Sequence, residues 1–85
     1  MVVDVRTPAE FNSGHLSQAV NLPLDEIEGL VPSRVKDKNK VLLLHCQSGV
    51  RSGIAKKRLA SIGYTNAHNL GSYARSMGIV SEKRK

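Results

Sequence analysis

The chain has 85 residues, a single cysteine, no tryptophan and only 4% aromatics, so it has room for one domain with an aliphatic core and no internal disulfide. Thirteen lysines and arginines against seven acids give a formal charge of +6, which suits a small anionic ligand; with no interleaved aromatics and no nucleic-acid motif, it does not describe a nucleic-acid surface. No apolar run is long enough to span a bilayer, and no Cys/His cluster has zinc spacing.

Residues 2–5 read as a short strand. Thr7-Pro8-Ala9-Glu10-Phe11 is a helix start: Thr7 suits the N-cap, Pro8 the first turn, and Glu10 can reach back to the Thr7 amide. Ser13-Gly14 ends that helix early. Residues 19–22 form a second small strand, stopped by Pro23. Ile27, Leu30 and Val31 have helical spacing within 25–31, and Pro32-Ser33 is expected to break the helix. Asp37-Lys38-Asn39-Lys40 is a polar turn. Residues 41–44 are the most apolar stretch and, lacking alternation, predict a central strand buried on both faces. Residues 52–62 are the strongest helix: Ala55, Leu59 and Ile62 share a face, Lys56, Lys57 and Arg58 point away, and Gly63 suits the left-handed position past its end. Residues 66–70 are a last strand, and Gly71 starts a turn.

Strands and helices alternate, which predicts an α/β fold with a small, mostly parallel sheet and helices on both faces. A single domain over 1–85 is expected, with Lys83-Arg84-Lys85 in a solvated tail at 82–85. No signal peptide is expected, because Asp4 and Arg6 interrupt the only early apolar stretch. A processed chain would read the same, so the compartment stays open between cytoplasm and periplasm.

The cysteine stands between the central strand and the strongest helix, in His45-Cys46-Gln47-Ser48-Gly49-Val50-Arg51-Ser52. Open α/β sheets place ligands there, beyond the carboxyl ends of their strands. Loop amides and the helix start can form a nest of positive partial charge, and such surroundings lower a cysteine pKa from about 8.5 to roughly 3.5–7.5. A buried structural cysteine would instead belong inside the aliphatic strand, not at its polar end. Neighbours on a strand face opposite ways, so His45 is not expected to pair with Cys46; His15 and His68 read as loop and strand-edge residues. With no Cys-x-x-Cys, disulfide oxidoreductase chemistry is excluded.

Asp4-Val5-Arg6-Thr7-Pro8-Ala9-Glu10-Phe11, Gly14-His15-Leu16, Ala19-Val20-Asn21-Leu22-Pro23, the stretch from Cys46 to Ser52, Gly63-Tyr64 and Asn69-Leu70-Gly71 occur in an order that resembles rhodanese domains, and the short chain resembles the phage-shock type of single-domain rhodanese. The strand and helix that the family usually carries ahead of the Asp-Val-Arg segment are missing, which predicts one fewer strand and an exposed edge. Four residues separate Cys46 from Arg51. Related phosphatases and arsenate reductases use five, a wider cradle for a phosphoryl group, so the loop favours sulfur.

The resemblance implies a thiosulfate sulfurtransferase. Cys46 would be the nucleophile, carrying sulfur as a persulfide from thiosulfate or another sulfane donor to cyanide or a thiol, with no cofactor and no metal. Gln47, Ser48, Gly49, Val50, Arg51 and Ser52 would form the substrate-binding loop. Arg51 either meets the anionic donor or braces the loop by pairing with an acid. Arg6 either faces the site or makes a salt bridge with Glu10 or Asp4, and those two acids support the architecture. Lys56, Lys57 and Arg58 add positive potential. A monomer with no nucleic-acid or membrane partner is expected. The alternative is a non-catalytic module of the same family that binds a partner or senses redox state. After Gly71 the family often has a second glycine, an aromatic and then tryptophan; here stand Ser72, Tyr73 and, in the tryptophan's place, Ser76, which leaves acceptor choice open, and Met77-Gly78-Ile79-Val80 are candidates for the missing apolar cover.

Overall fold

The computed structural model describes residues 1–73, 75 and 76. The tail at 82–85 and the apolar stretch at 77–80 lie outside the described residues.

Four strands form one parallel sheet: β1 (Val2–Asp4), β2 (Ala19–Asn21), β3 (Leu42–His45) and β4 (Ala67–Gly71), in the order β2-β1-β3-β4. Asp4 lies between Asn21 and His45 in register. The aliphatic run expected at the centre is there: Leu42 and Leu44 of β3 have no exposed surface. Val41, counted with that strand from sequence, stays outside it and is 45% exposed. The edges fall to β2 and β4.

Helix α1 (Pro8–Ser13) carries the expected capping box: the Glu10 amide donates to Thr7 Oγ1 and the Thr7 amide donates to Glu10 Oε1. Helix α2 (Ile27–Arg34) follows a 3₁₀ turn at Leu24–Glu26. The expected break at Pro32 does not occur; α2 runs through it. Proline removes one intrahelical bond, to the carbonyl of Glu28, but Glu28 is exposed and water can serve that oxygen. Ile27 and Val31 are meanwhile fully buried, and the Val35 amide donates to Val31 O at 2.7 Å. Burial of that face outweighs the lost bond.

Helix α3 (Val50–Ser61) begins two residues before the start expected from periodicity, and buries Ser52, Ala55 and Leu59. Lys56, Lys57 and Arg58 are exposed as expected. Gly63 sits at φ +98°, with its amide donating to Ala60 O and the Tyr64 amide donating to Leu59 O. That pair of bonds is a Schellman stop. No helix among the described residues is long and apolar enough to cross a membrane.

α2 and α3 pack against each other and α3 packs on β3 and β4. From β1 the chain crosses to β2 on one side; from β3 it crosses to β4 on the other. With right-handed crossovers, α1 then lies on the face opposite α2 and α3. The reversal point is between β1 and β3, and a crevice opens beyond their carboxyl ends. Arg6 follows the first of these strands and Cys46 the second.

Candidate active site

The site is built on the turn from β3 into α3. Cys46 continues β3, and its amide donates to Gly71 O at 3.2 Å. Gly49 then takes φ +98°, which only glycine adopts without strain. A Cβ there would also meet Gly71 Cα at 3.2 Å and Gly71 C at 3.3 Å, so the loop and the end of β4 are pressed together through a bare backbone. The Gly49 amide points back at the cysteine, 2.9 Å from Sγ.

Cys46 is fully buried. Burial pushes its thiol up, but the amide of Ser52, its hydroxyl within reach at 3.6 Å, and the amides of Gly49 and Ser48 outweigh it, leaving the pKa below its ordinary value. This is the nest expected from sequence. It is made by backbone, so it forms wherever the loop closes.

The arginines are committed. Arg51 donates from Nη1 and Nη2 to the two carboxylate oxygens of Glu10, at 2.6 and 2.9 Å. This is the pairing with an acid that the bracing role calls for. The pair ties the first turn of α3 to α1, and Arg51 holds the Glu10 carboxyl down at about 2. Arg6, 4% exposed, grips Asp4, which has no exposed surface, at 2.8 Å from Nη2 to Oδ2. It also donates to Gly14 O at 2.7 Å and lies 4.6 Å above the Tyr73 ring. Its longer contact, 3.4 Å to Gln47 Oε1, is its one tie to the loop. Of the two partners expected for Arg6, Asp4 is the one taken. The Asp4 and Glu10 carboxylates are thus both spent on arginines, as architectural acids would be.

His45 turns its ring to Asp4, 3.7 Å from Nε2 to Oδ2, and to the Tyr73 ring rather than to the Cys46 sulfur. Its ring is fully buried, neither nitrogen finds a hydrogen-bond partner among the described residues, and burial lowers its pKa. His15 Nδ1 donates to Phe11 O and its ring stacks on the Phe11 ring; His68 pairs with Asn66. None of the three histidines reaches Sγ.

Two residues had no role in the sequence reading. Tyr73 stacks on His45 and carries Arg6 on its ring, and its amide donates to Gln47 O. Asn69 accepts from the Ser52 hydroxyl at 2.6 Å and from the Gly71 amide at 2.8 Å, and donates to Gly49 O at 3.2 Å. The signal for Asn69 was present in the Asn69-Leu70-Gly71 string. Its cause is a bulge: β3 pairs Leu44 with Asn69 but His45 with Gly71, skipping Leu70, and the skip brings Asn69 and Gly71 to the loop. Ser76, in the position where the family carries tryptophan, is buried and bonded to Ser72 O.

A cleft of about 170 Å³ opens beside this loop, lined by Val5, Thr7, Pro23, Leu24, Asp25 and Arg51. Cys46 is not part of its wall.

A family model described as "Rhodanese-like domain" matches residues 1–75. Thiosulfate sulfurtransferase PspE of Escherichia coli (strain K12) is 38% identical over 69 residues, covering 81% of this chain and 66% of that protein. Thiosulfate:glutathione sulfurtransferase of Saccharomyces cerevisiae is 35% identical over 77 residues, covering 78% of this chain and 55% of that protein. The chain thus spans two thirds or less of these relatives' length. Among solved structures, a "rhodanese with anions from E. coli" superposes with a TM-score of 0.83 at 35% identity, covering 87% of each chain.

Proposed function

The chain belongs to the rhodanese family, and from that premise we propose that it is a thiosulfate sulfurtransferase working through a persulfide on Cys46. The observation that carries this reading is the sulfur at the focus of inward-pointing loop amides, with Gly49 N at 2.9 Å. Such a nest stabilises negative charge on sulfur without a general base.

In the first step the Cys46 thiolate attacks the outer sulfur of thiosulfate. The new S–S bond forms as the old one breaks, and sulfite leaves with the bonding pair. The charge now rests on the outer sulfur of the persulfide, where the amides from Gln47 to Ser52 hold it. In the second step cyanide or a thiolate attacks that outer sulfur, leaving as thiocyanate or a new persulfide and returning Cys46 as thiolate. No external oxidant or reductant enters. Gln47, Ser48, Gly49, Val50, Arg51 and Ser52 act as the substrate loop, Arg51 by holding its shape through Glu10 rather than by offering a free charge. Arg6, Asp4 and Glu10 support that loop. The unit acts as a single domain over 1–85 and as a monomer, on a small anionic donor and a thiol or cyanide acceptor.

A second reading has one observation in its favour. Cys46 is fully buried, so a donor reaches its sulfur only after the groups over the loop part. A module that binds a partner without turnover needs no such opening. Intact mass after incubation with thiosulfate separates the two, on the wild type and on Cys46→Ser. A gain of one sulfur, reversed by cyanide with release of thiocyanate and absent from the variant, is expected. A folded protein whose Cys46 alkylates but takes no sulfur moves the function to the binding module.

A further inference from the structure

Ser52 is fully buried in the first turn of α3, and its hydroxyl has one proton. Three acceptors surround it: Asn69 Oδ1 at 2.6 Å, Gly49 O at 3.1 Å and Cys46 Sγ at 3.6 Å. The orientation of the Asn69 amide decides which one is served. The Gly71 amide can only donate, so the Asn69 atom 2.8 Å from it is the oxygen. The Gly49 carbonyl can only accept, so the atom 3.2 Å from it is the Asn69 nitrogen. Both ends agree, and Ser52 therefore faces an oxygen. Two oxygens 2.6 Å apart need a proton between them, and only the Ser52 hydroxyl can supply it.

We propose that Asn69 is a positioning residue for the Cys46 chemistry: its side-chain oxygen takes the Ser52 proton and leaves the sulfur to be held by backbone amides alone. The consequence for the reaction rests on the sulfurtransferase reading above. A thiolate that receives one fewer hydrogen bond is less stabilised and more nucleophilic, since nucleophilicity falls as thiol pKa falls. Asn69 thereby keeps the sulfur reactive, while the amides keep it ionised.

The test is the pH dependence of Cys46 alkylation by iodoacetamide in four proteins: wild type, Ser52→Ala, Asn69→Ala and the double variant. The titratable groups near the loop are alike in all four: the charged pairs Arg51 with Glu10 and Arg6 with Asp4, and the buried His45 ring beside Asp4. Alkylation needs no sulfur donor, so the result stands even if the protein takes no sulfur from thiosulfate. Ser52→Ala is expected to leave the midpoint where it is, because the hydroxyl proton was not on sulfur. Asn69→Ala is expected to lower the midpoint by about one pH unit, because the freed hydroxyl turns to the thiolate, whose charge makes it a stronger acceptor than the nearer Gly49 carbonyl. The double variant is expected to return to the wild-type value, which a mere loosening of the loop would not do. A raised midpoint in Ser52→Ala overturns the proposal. So does an Asn69→Ala midpoint that stays put, or that shifts equally without Ser52. Should Asn69→Ala not fold, Ser52→Ala decides alone.

Discussion

The Glu10–Arg51 pair ties two residues 41 positions apart, and each end was visible in sequence for a separate reason. Glu10 was legible as the third member of a capping box, Arg51 as the end of the cysteine loop. Their meeting was not, because it depends on how α1 sits against the first turn of α3. The pair has a pH signature. Glu10 is held at about 2 by Arg51 first and by the Thr7 amide second. A carboxylate whose folded pKa is depressed stabilises the fold fully above its unfolded value, and loses that contribution as pH falls through the folded one. Glu10→Gln is therefore expected to cost about 1 kcal/mol at neutral pH, a value kept small because both side chains are about one-third exposed. Urea unfolding of both proteins should show this gap constant above about pH 5 and shrinking towards pH 3. A gap that persists unchanged at pH 3 would show that the ion pair is not its source.

Among the elements, the end of α3 and the end of α2 are one joint. Gly63 and the Schellman bonds stop α3 and turn the chain so that Tyr64 enters the core, 1% exposed. Its hydroxyl crosses to Val35 O, the residue that caps α2, at 2.5 Å. Tyr64→Phe keeps the ring and strands a buried carbonyl, so it is expected to cost about 1–3 kcal/mol with no change in the urea m-value; equal midpoints would mean that water replaces the hydroxyl. The same joint explains what was legible and what was not. Gly63 announced the stop because a left-handed position is a local demand. Pro32 suggested a break for an equally local reason, yet α2 continues because Ile27, Val31 and Val35 are buried against neighbours that sequence spacing does not name. The parallel sheet followed from the alternation of elements; the order β2-β1-β3-β4 did not, because alternation does not say on which side each crossover lands. The bulge at Leu70 and the role it gives Asn69 arise from pairing across β3 and β4, and no short string shows a register skip.

For the whole molecule, the surplus of positive charge stands apart from the arginines near the site. Arg6, Arg51 and Arg58 are each paired with an acid, so their guanidiniums present little net charge to an approaching anion. The attraction must come from the unpaired excess behind the formal +6, including the exposed Lys56 and Lys57 on the helix that starts at the cysteine loop. Such a field acts over distance and is screened within about 8 Å at physiological ionic strength. A dianionic donor such as thiosulfate should feel it; a neutral reagent should not. The rate of sulfur loading on Cys46 by thiosulfate is therefore expected to fall about two- to tenfold as salt is raised. Iodoacetamide alkylation, measured well above the thiol midpoint, should hardly change over the same range. Replacing Lys56 and Lys57 together by glutamine should flatten the thiosulfate response and leave the alkylation rate alone. If loading by thiosulfate proves as indifferent to salt as alkylation, the net charge has no part in gathering the donor, and the backbone nest around Cys46 does all of its recognition at contact.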